Sequence, residues 1–144
     1  MEDALAASDG KTPMFTAAGR ARRAKVVSVH DGDTVHANML LDGDTAVRRY
    51  ILRLDGIDTP ELRGPNAALA AAARAELSRL VLGRVVDVDL GKSDRYGRIL
   101  ARIHVDDIGD VGAALVRGGL ASEYHGRGGK FDALKVDAPF PAGK

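Results

Sequence analysis

The hydrophobic pattern between residues 25 and 105 changes period twice, and this constrains the fold more than any other feature of the chain. Residues 25–31, Lys-Val-Val-Ser-Val-His-Asp, alternate in β-branched residues and predict a strand. Asp31-Gly32 reads as a turn, and Thr34-Val35-His36-Ala37 resumes as a second strand. Asp42-Gly43-Asp44 marks another turn before a third strand over residues 46–54. The period then becomes helical: Gly64-Pro65-Asn66 opens a segment with Leu69, Ala73, Leu77 and Leu80 on one face, and Gly83 closes it. Period two returns in a fourth strand over 84–90 and a fifth over 97–105. A short helix over 111–117 follows, ended by Gly118-Gly119. Five short strands with a helix between the third and fourth match the OB-fold, a five-stranded Greek-key barrel with flanking helices, mainly β in an α+β setting. Antiparallel meanders with one flanking helix share the order, so periodicity alone leaves them open.

The chain has 144 residues, enough for one domain, expected over residues 25–125. Residues 1–24 read as a flexible tail, rich in Ala, Ser, Gly and charge, with Pro13 and Gly19 interrupting any helix. Around its end, Arg20, Arg22, Arg23 and Lys25 form a basic cluster; contact with nucleic-acid phosphates is the weaker reading. Residues 126–144 read as a second tail, broken by Gly126, Gly128, Gly129, Pro139 and Pro141. Met1 is followed by Glu2 and Asp3 and by no apolar stretch, so no secretory signal is expected. No run of eighteen apolar residues occurs, so no membrane span is expected and a cytoplasmic location is favoured. With no cysteine, disulfides, thiolate zinc sites and cysteine nucleophiles are excluded. Lys and Arg number 21 and Asp and Glu 20, a net charge of +1 that excludes polybasic binding by the whole chain.

Three segments carry chemistry: Asp31-Gly32-Asp33-Thr34, the run Arg53 to Glu61, and Asp94-Arg95-Tyr96-Gly97-Arg98. Each has a structural reading on its own. Asp-Gly is a common hairpin turn, Thr59-Pro60-Glu61 resembles a helix entry, and the third segment suits a charged hairpin bend. Together they gather acids and arginines at strand ends, where a rigid scaffold presents functional groups. Asp33 and Asp58 are hard oxygen donors suited to Ca²⁺ or Mg²⁺, and two carboxylates leave a shell open for substrate phosphate. Arg53 and Arg98 supply permanently charged forks that match phosphate oxygens. Glu61 is a carboxylate available to take a proton from water.

These segments resemble the staphylococcal nuclease (thermonuclease) family. The likeness runs from about Val26 to Tyr124 and includes D-G-D-T, R-L-x-G-I-D-T-P-E, G-P-x-A, D-R-Y-G-R and A-L-V-R-x-G-L-A, in order. It implies an OB barrel and Ca²⁺-dependent hydrolysis of DNA and RNA with little sequence specificity, leaving 3′-phosphate and 5′-hydroxyl ends. By motif position, Asp33 and Asp58 would bind one Ca²⁺, with Mg²⁺ a less favoured ion, and Thr59 would add its backbone carbonyl. Asp31 would be an outer ligand at most. Glu61 would orient or deprotonate the attacking water, and Arg53 and Arg98 would stabilise the transition state. Arg95 and Tyr96 fall where the family contacts a neighbouring phosphate, and Tyr124 echoes an aromatic base contact. His125 reads as a surface-loop residue. The chain departs from familiar members in the short link Leu62-Arg63 before Gly64 and in lacking a clear counterpart of the long C-terminal helix. A binding module that has lost catalysis, within a larger assembly, is the alternative. Retention of Asp33, Arg53, Asp58, Glu61 and Arg98 favours the enzyme, expected to act as a monomer.

Overall fold

The computed structural model describes residues 2–124 of the chain. Its frame is a sheet whose strands run β1 (Arg23–Asp31), β2 (Thr34–Met39), β3 (Arg48–Leu54), β5 (Val85–Ser93) and β6 (Ile99–Val105), with β4 (Ile57–Asp58) standing apart. Their spatial order is β3-β2-β1-β5-β6, and β3 also pairs with β6, so the sheet closes into a five-stranded barrel. All pairings are antiparallel except the closing one, in which Leu52, Arg53 and Leu54 run parallel to Ile99, Leu100 and Ala101. A closed five-stranded barrel with β1 between β2 and β5 is the OB-like Greek-key arrangement expected from the strand order, rather than a meander.

Strict alternation explains why these segments roll up. Along β2, Val35, Ala37 and Met39 point into the barrel while His36 and Asn38 stay partly exposed. Along β3, Leu52 and Leu54 point inward. Ala24, Val26, Val86, Val88, Leu90, Ile99, Ala101, Ile103 and Val105 complete the interior. With no Trp and few Phe, small aliphatic side chains fill the barrel, and the irregularity in β1 between Val26 and Ser28 bends that strand to close it.

Helix α2 (Ala67–Val81) covers one barrel end with Leu69, Ala73, Leu77 and Leu80, the face predicted from spacing. It begins at Ala67, three residues after the expected Gly64 opening, with Asn66 at the cap position but making no side-chain cap bond. Helix α3 (Val111–Arg117) is capped by Asp110, whose carboxylate accepts a bond from the Ala113 amide at 2.8 Å. Four short pieces were not foreseen: α1 (Glu2–Ala7), β7 (Gly109–Asp110), and the pair β4 and β8 (Ser122–Glu123), which form a separate two-stranded sheet.

The N-terminal boundary also moves. The sequence reading put the ordered part at residue 25, but β1 starts at Arg23, and Ala17 and Ala21 are buried in the core. The Gly19 amide bonds the Leu90 carbonyl, and the Asp42 amide bonds the Arg20 carbonyl. Alanine is too weak a hydrophobic signal to mark these contacts in a sequence. His125, Gly126, Pro139 and Pro141 lie outside the described residues. Among the described residues, no helix is long and apolar enough to cross a membrane.

Candidate active site

The site is built where β3 ends, at the mouth of the barrel. Alternation turns Leu52 and Leu54 inward and so turns Arg53 to the outer face. There its guanidinium meets two carboxylates. Nη2 lies 3.1 Å from an Asp58 oxygen and 3.4 Å from an Asp33 oxygen. Nη1 donates to the carbonyls of Leu54 at 2.6 Å and Ile57 at 2.9 Å, clamping the loop that carries Asp58. All three side chains are nearly buried, at 12%, 9% and 11% exposure for Arg53, Asp33 and Asp58. An ion pair this dry depends on its hydrogen bonds to offset desolvation.

Asp33 is correspondingly well bonded. One oxygen accepts from the Thr59 amide at 3.2 Å and the Thr59 hydroxyl at 3.1 Å; the other accepts from the Thr34 hydroxyl at 3.1 Å. Its own carbonyl accepts from the Leu54 amide at 2.7 Å, locking the turn to β3. Burial works to raise the Asp33 pKa. It is outweighed by the hydrogen bond with Asp31, the Arg53 charge, the Thr34 hydroxyl and the Thr59 amide, so Asp33 titrates below the ordinary carboxylate range. Asp31 goes the other way, pushed up to about 6 by burial and by the bond to and negative charge of Asp33.

Thr59-Pro60-Glu61 is not a helix entry. Thr59 is buried against Asp33, and the chain then turns, with the Gly64 amide bonded to the Glu61 carbonyl at 3.1 Å. Glu61 is exposed on that turn, three residues beyond Asp58.

The Asp31-Gly32 turn holds a residue that composition cannot explain. Gly32 is buried, and its φ is not positive. A Cβ there would lie 2.7 Å from the Ala73 Cβ and 3.0 Å from the Thr59 side chain. The glycine is needed for space between the turn, α2 and Thr59, rather than for turn geometry. Thr34 is the other participant that sequence reasoning passed over; its place beside Asp33 in D-G-D-T was the available signal.

The remaining predicted residues form a second group. Asp94-Arg95-Tyr96-Gly97-Arg98 is the β5–β6 hairpin bend, as its structural reading had it. The Asp94 amide bonds the Arg98 carbonyl at 2.7 Å, and Gly97 takes φ +82°. The Asp94 carboxylate accepts from the Tyr96 and Arg98 amides and from Arg98 Nε at 2.6 Å. Arg98 and Arg95 both lie over the Tyr96 ring, at 5.4 and 5.5 Å, and Tyr96 is 71% exposed. The parallel register links this group to the first. Arg53 is paired with Leu100 and Leu52 with Ile99, and Arg98 immediately precedes that seam, one residue before β6 begins. Tyr124 is tied to the loop before Asp58, its amide bonding the Gly56 carbonyl at 2.9 Å.

Asp33, Arg53, Asp58 and Thr59 therefore form one bonded cluster, with Glu61 along the same loop and Arg98 at the bend before the adjacent strand. Among the described residues, no three Asp, Glu, His or Cys side chains gather as a metal-ligand group. The donors at the centre are two carboxylates that already converge on one positive charge, the Arg53 nitrogen. An all-oxygen pair of that kind fits a hard divalent cation whose other ligands are waters or substrate oxygens.

A family model described as staphylococcal nuclease homologue matches residues 51–137, a span containing Arg53, Asp58, Glu61, Arg95 and Arg98. A probable endonuclease LCL3 of Verticillium alfalfae is 32% identical over 127 residues, covering 73% of this chain and 44% of that protein. An uncharacterized endonuclease of Escherichia coli is 36% identical over 100 residues, covering 69% of this chain and 60% of its own. Protein ParB of Escherichia coli is 36% identical over 125 residues, covering 80% of this chain and 66% of its own. The chain spans between 44% and 66% of the length of these relatives. Matched by the family model over residues 51–137 and folded as a closed barrel, the chain belongs to the family of staphylococcal nuclease homologues.

Proposed function

We propose that the chain is a calcium-dependent nuclease that hydrolyses phosphodiester bonds of DNA, RNA or both with low sequence specificity. The observation that carries this reading is the convergence of the Asp33 and Asp58 carboxylates on the single Arg53 nitrogen, at 3.4 and 3.1 Å. Two nearly buried acids held this close favour a cation between or beside them. Family membership and relatives named endonuclease support the reaction class.

Asp33 and Asp58, with the Thr59 carbonyl, would hold the ion, which when bound would supply positive charge beside the phosphate. Arg53 and Arg98 donate to phosphate oxygens, where negative charge grows as the phosphorus becomes five-coordinate; interactions that strengthen at that point lower the barrier. Glu61 takes a proton from the attacking water as its oxygen bonds to phosphorus. The bond to the 5′ oxygen then breaks, and Arg98 donates a hydrogen bond to the leaving oxygen, which takes its proton from solvent. The ends are a 3′-phosphate and a 5′-hydroxyl. Arg95 and Tyr96 contact the adjacent phosphate, and Tyr124 packs on a base. All these groups come from one chain, so a monomer suffices.

The test is degradation of plasmid and single-stranded DNA and of RNA with Ca²⁺, Mg²⁺ or EDTA in parallel. The expected result is cleavage with Ca²⁺ that EDTA abolishes. Binding without cleavage under every metal would instead establish a non-catalytic binding module.

A further inference from the structure

The bonds that Arg53 makes conflict with the phosphate contact proposed for it. A guanidinium grips a phosphate through two neighbouring N–H groups on one of its edges. One such edge is Nη1 with Nη2, and the other is Nε with Nη2, so both need Nη2. Yet Nη2 faces the Asp58 oxygen at 3.1 Å and the Asp33 oxygen at 3.4 Å. Nη1 is taken up by the Leu54 and Ile57 carbonyls at 2.6 and 2.9 Å. The fork is thus turned toward its own chain.

The two carboxylates that hold Nη2 are also the proposed ligands of the divalent ion, so the same oxygens are claimed by two cations. A doubly charged ion attracts a carboxylate about twice as strongly as a guanidinium at equal distance. It also sits closer, at about 2.3–2.6 Å for calcium. All three side chains are nearly buried, so little solvent screens the ion from the guanidinium. Arg98 is held differently. Its carboxylate partner, Asp94, lies on the hairpin bend and is no proposed ligand, so the conflict is confined to Arg53.

We infer that Arg53 is a latch on the site: its Nη2 and the divalent ion compete for the Asp33 and Asp58 oxygens, and binding of the ion frees Nη2 for the phosphate. Nη1, kept on the Leu54 and Ile57 carbonyls, holds the guanidinium at the barrel mouth while Nη2 changes partner. The order of events follows, ion first and phosphate second. Until the ion arrives, Arg53 supplies the counter-charge that two nearly buried acids need. The latch rests on the nuclease reading for the ion and the phosphate, and adds how the one admits the other.

The experiment titrates calcium into the full chain at neutral pH, read by calorimetry and by melting temperature, for the wild type, Arg53→Lys and Arg53→Gln. Both substitutions lose the fork that clamps the two carbonyls, and Arg53→Gln alone also loses the charge. Competition makes Arg53→Gln bind calcium about tenfold more tightly than Arg53→Lys. In EDTA the ranking reverses. Arg53→Gln melts lowest of the three because its acids lack a counter-charge, and its rise on adding calcium is the largest. An arginine that only clamps the loop would leave the two variants with equal calcium affinity. A further measurement needs no variant: in the isotope-labelled wild type, the Arg53 Nη–H signals shift with calcium and exchange faster with water. Should either variant fail to fold, that measurement decides. Arg53→Gln binding calcium no more tightly than Arg53→Lys, or Arg53 signals indifferent to bound calcium, overturns the latch. Cleavage by the wild type with calcium then leaves the nuclease reading standing. A wild type that neither binds calcium nor cleaves with any metal overturns both.

Discussion

At Gly32 one absent methyl group lets a turn, a helix and a site residue share a corner. Gly32→Ala places a carbon 2.7 Å from the Ala73 Cβ, and the Thr59 side chain at 3.0 Å has little room to yield. Over-packing of this kind costs about 1–3 kcal/mol, so the melting temperature falls. Activity falls further than stability does, because Thr59 carries two of the donors on Asp33. A variant as stable and active as wild type would count against the crowding argument. For the proposed catalytic groups, Glu61→Gln and Arg98→Ala each lower turnover by roughly 10²–10⁴-fold, read from initial cleavage rates at saturating calcium. Near-normal rates in both would sink the assignment. The charged residues were legible because their spacing in short motifs is informative by itself. Gly32 and Thr34 were not, because what they do depends on contacts formed only on folding. The Asp33–Thr59 bonds, for instance, span 26 residues.

The β5–β6 hairpin is the element that aims Arg98, and a carboxylate runs it. Burial raises the Asp94 pKa, but the Arg98 and Tyr96 amides and the Arg98 guanidinium outweigh it, so Asp94 titrates below its ordinary 3.8. A depressed pKa in the folded state means that the stabilisation is present above 3.8 and is lost as pH falls through the lower folded value. An NMR titration should therefore place the Asp94 midpoint below 3.8, with the Arg98 Nε–H signal changing at the same pH. A midpoint at or above 3.8 would show that the bend does not hold the carboxylate. Asp94→Asn keeps an acceptor but removes the charge, and turnover should drop on the order of 10–100-fold through misplacement of Arg98. Elements of six or more residues were largely readable from their periods: β1, β2, β3, β5, β6, α2 and α3 stand close to where alternation or helical spacing put them, whereas the six-residue α1 was not foreseen. The two-residue strands β4 and β8 were not, because two residues have no period. They exist because the Arg53 guanidinium pins the Ile57 carbonyl and gives the returning chain an edge to pair with.

For the whole molecule, a near-zero net charge hides a divided surface. Acids are gathered at the barrel mouth, while Lys25 and Arg49 stand on the outer face beside it. Calcium that binds the native site and not the unfolded chain adds stability by mass action, about 2.7 kcal/mol at a hundredfold excess over Kd. The melting temperature should thus rise with calcium and return on chelation, and Asp33→Asn should abolish the rise. A calcium-independent melting curve would remove the ion from this site.

The barrel seam has a kinetic consequence. Leu52, Arg53 and Leu54 reach Ile99, Leu100 and Ala101 only when the sheet closes, and that pairing bridges a long stretch of chain. Contacts of such high sequence separation form slowly. Arg53 lies on the seam and Arg98 at its start, so a partly folded chain holds the motifs but not the constellation. Amides of the seam should therefore exchange with solvent only through global unfolding, with protection equal to the full stability of the domain. Catalytic competence then becomes a late, all-or-none event in folding, and recovery of cleavage should trail recovery of helical signal after dilution from denaturant.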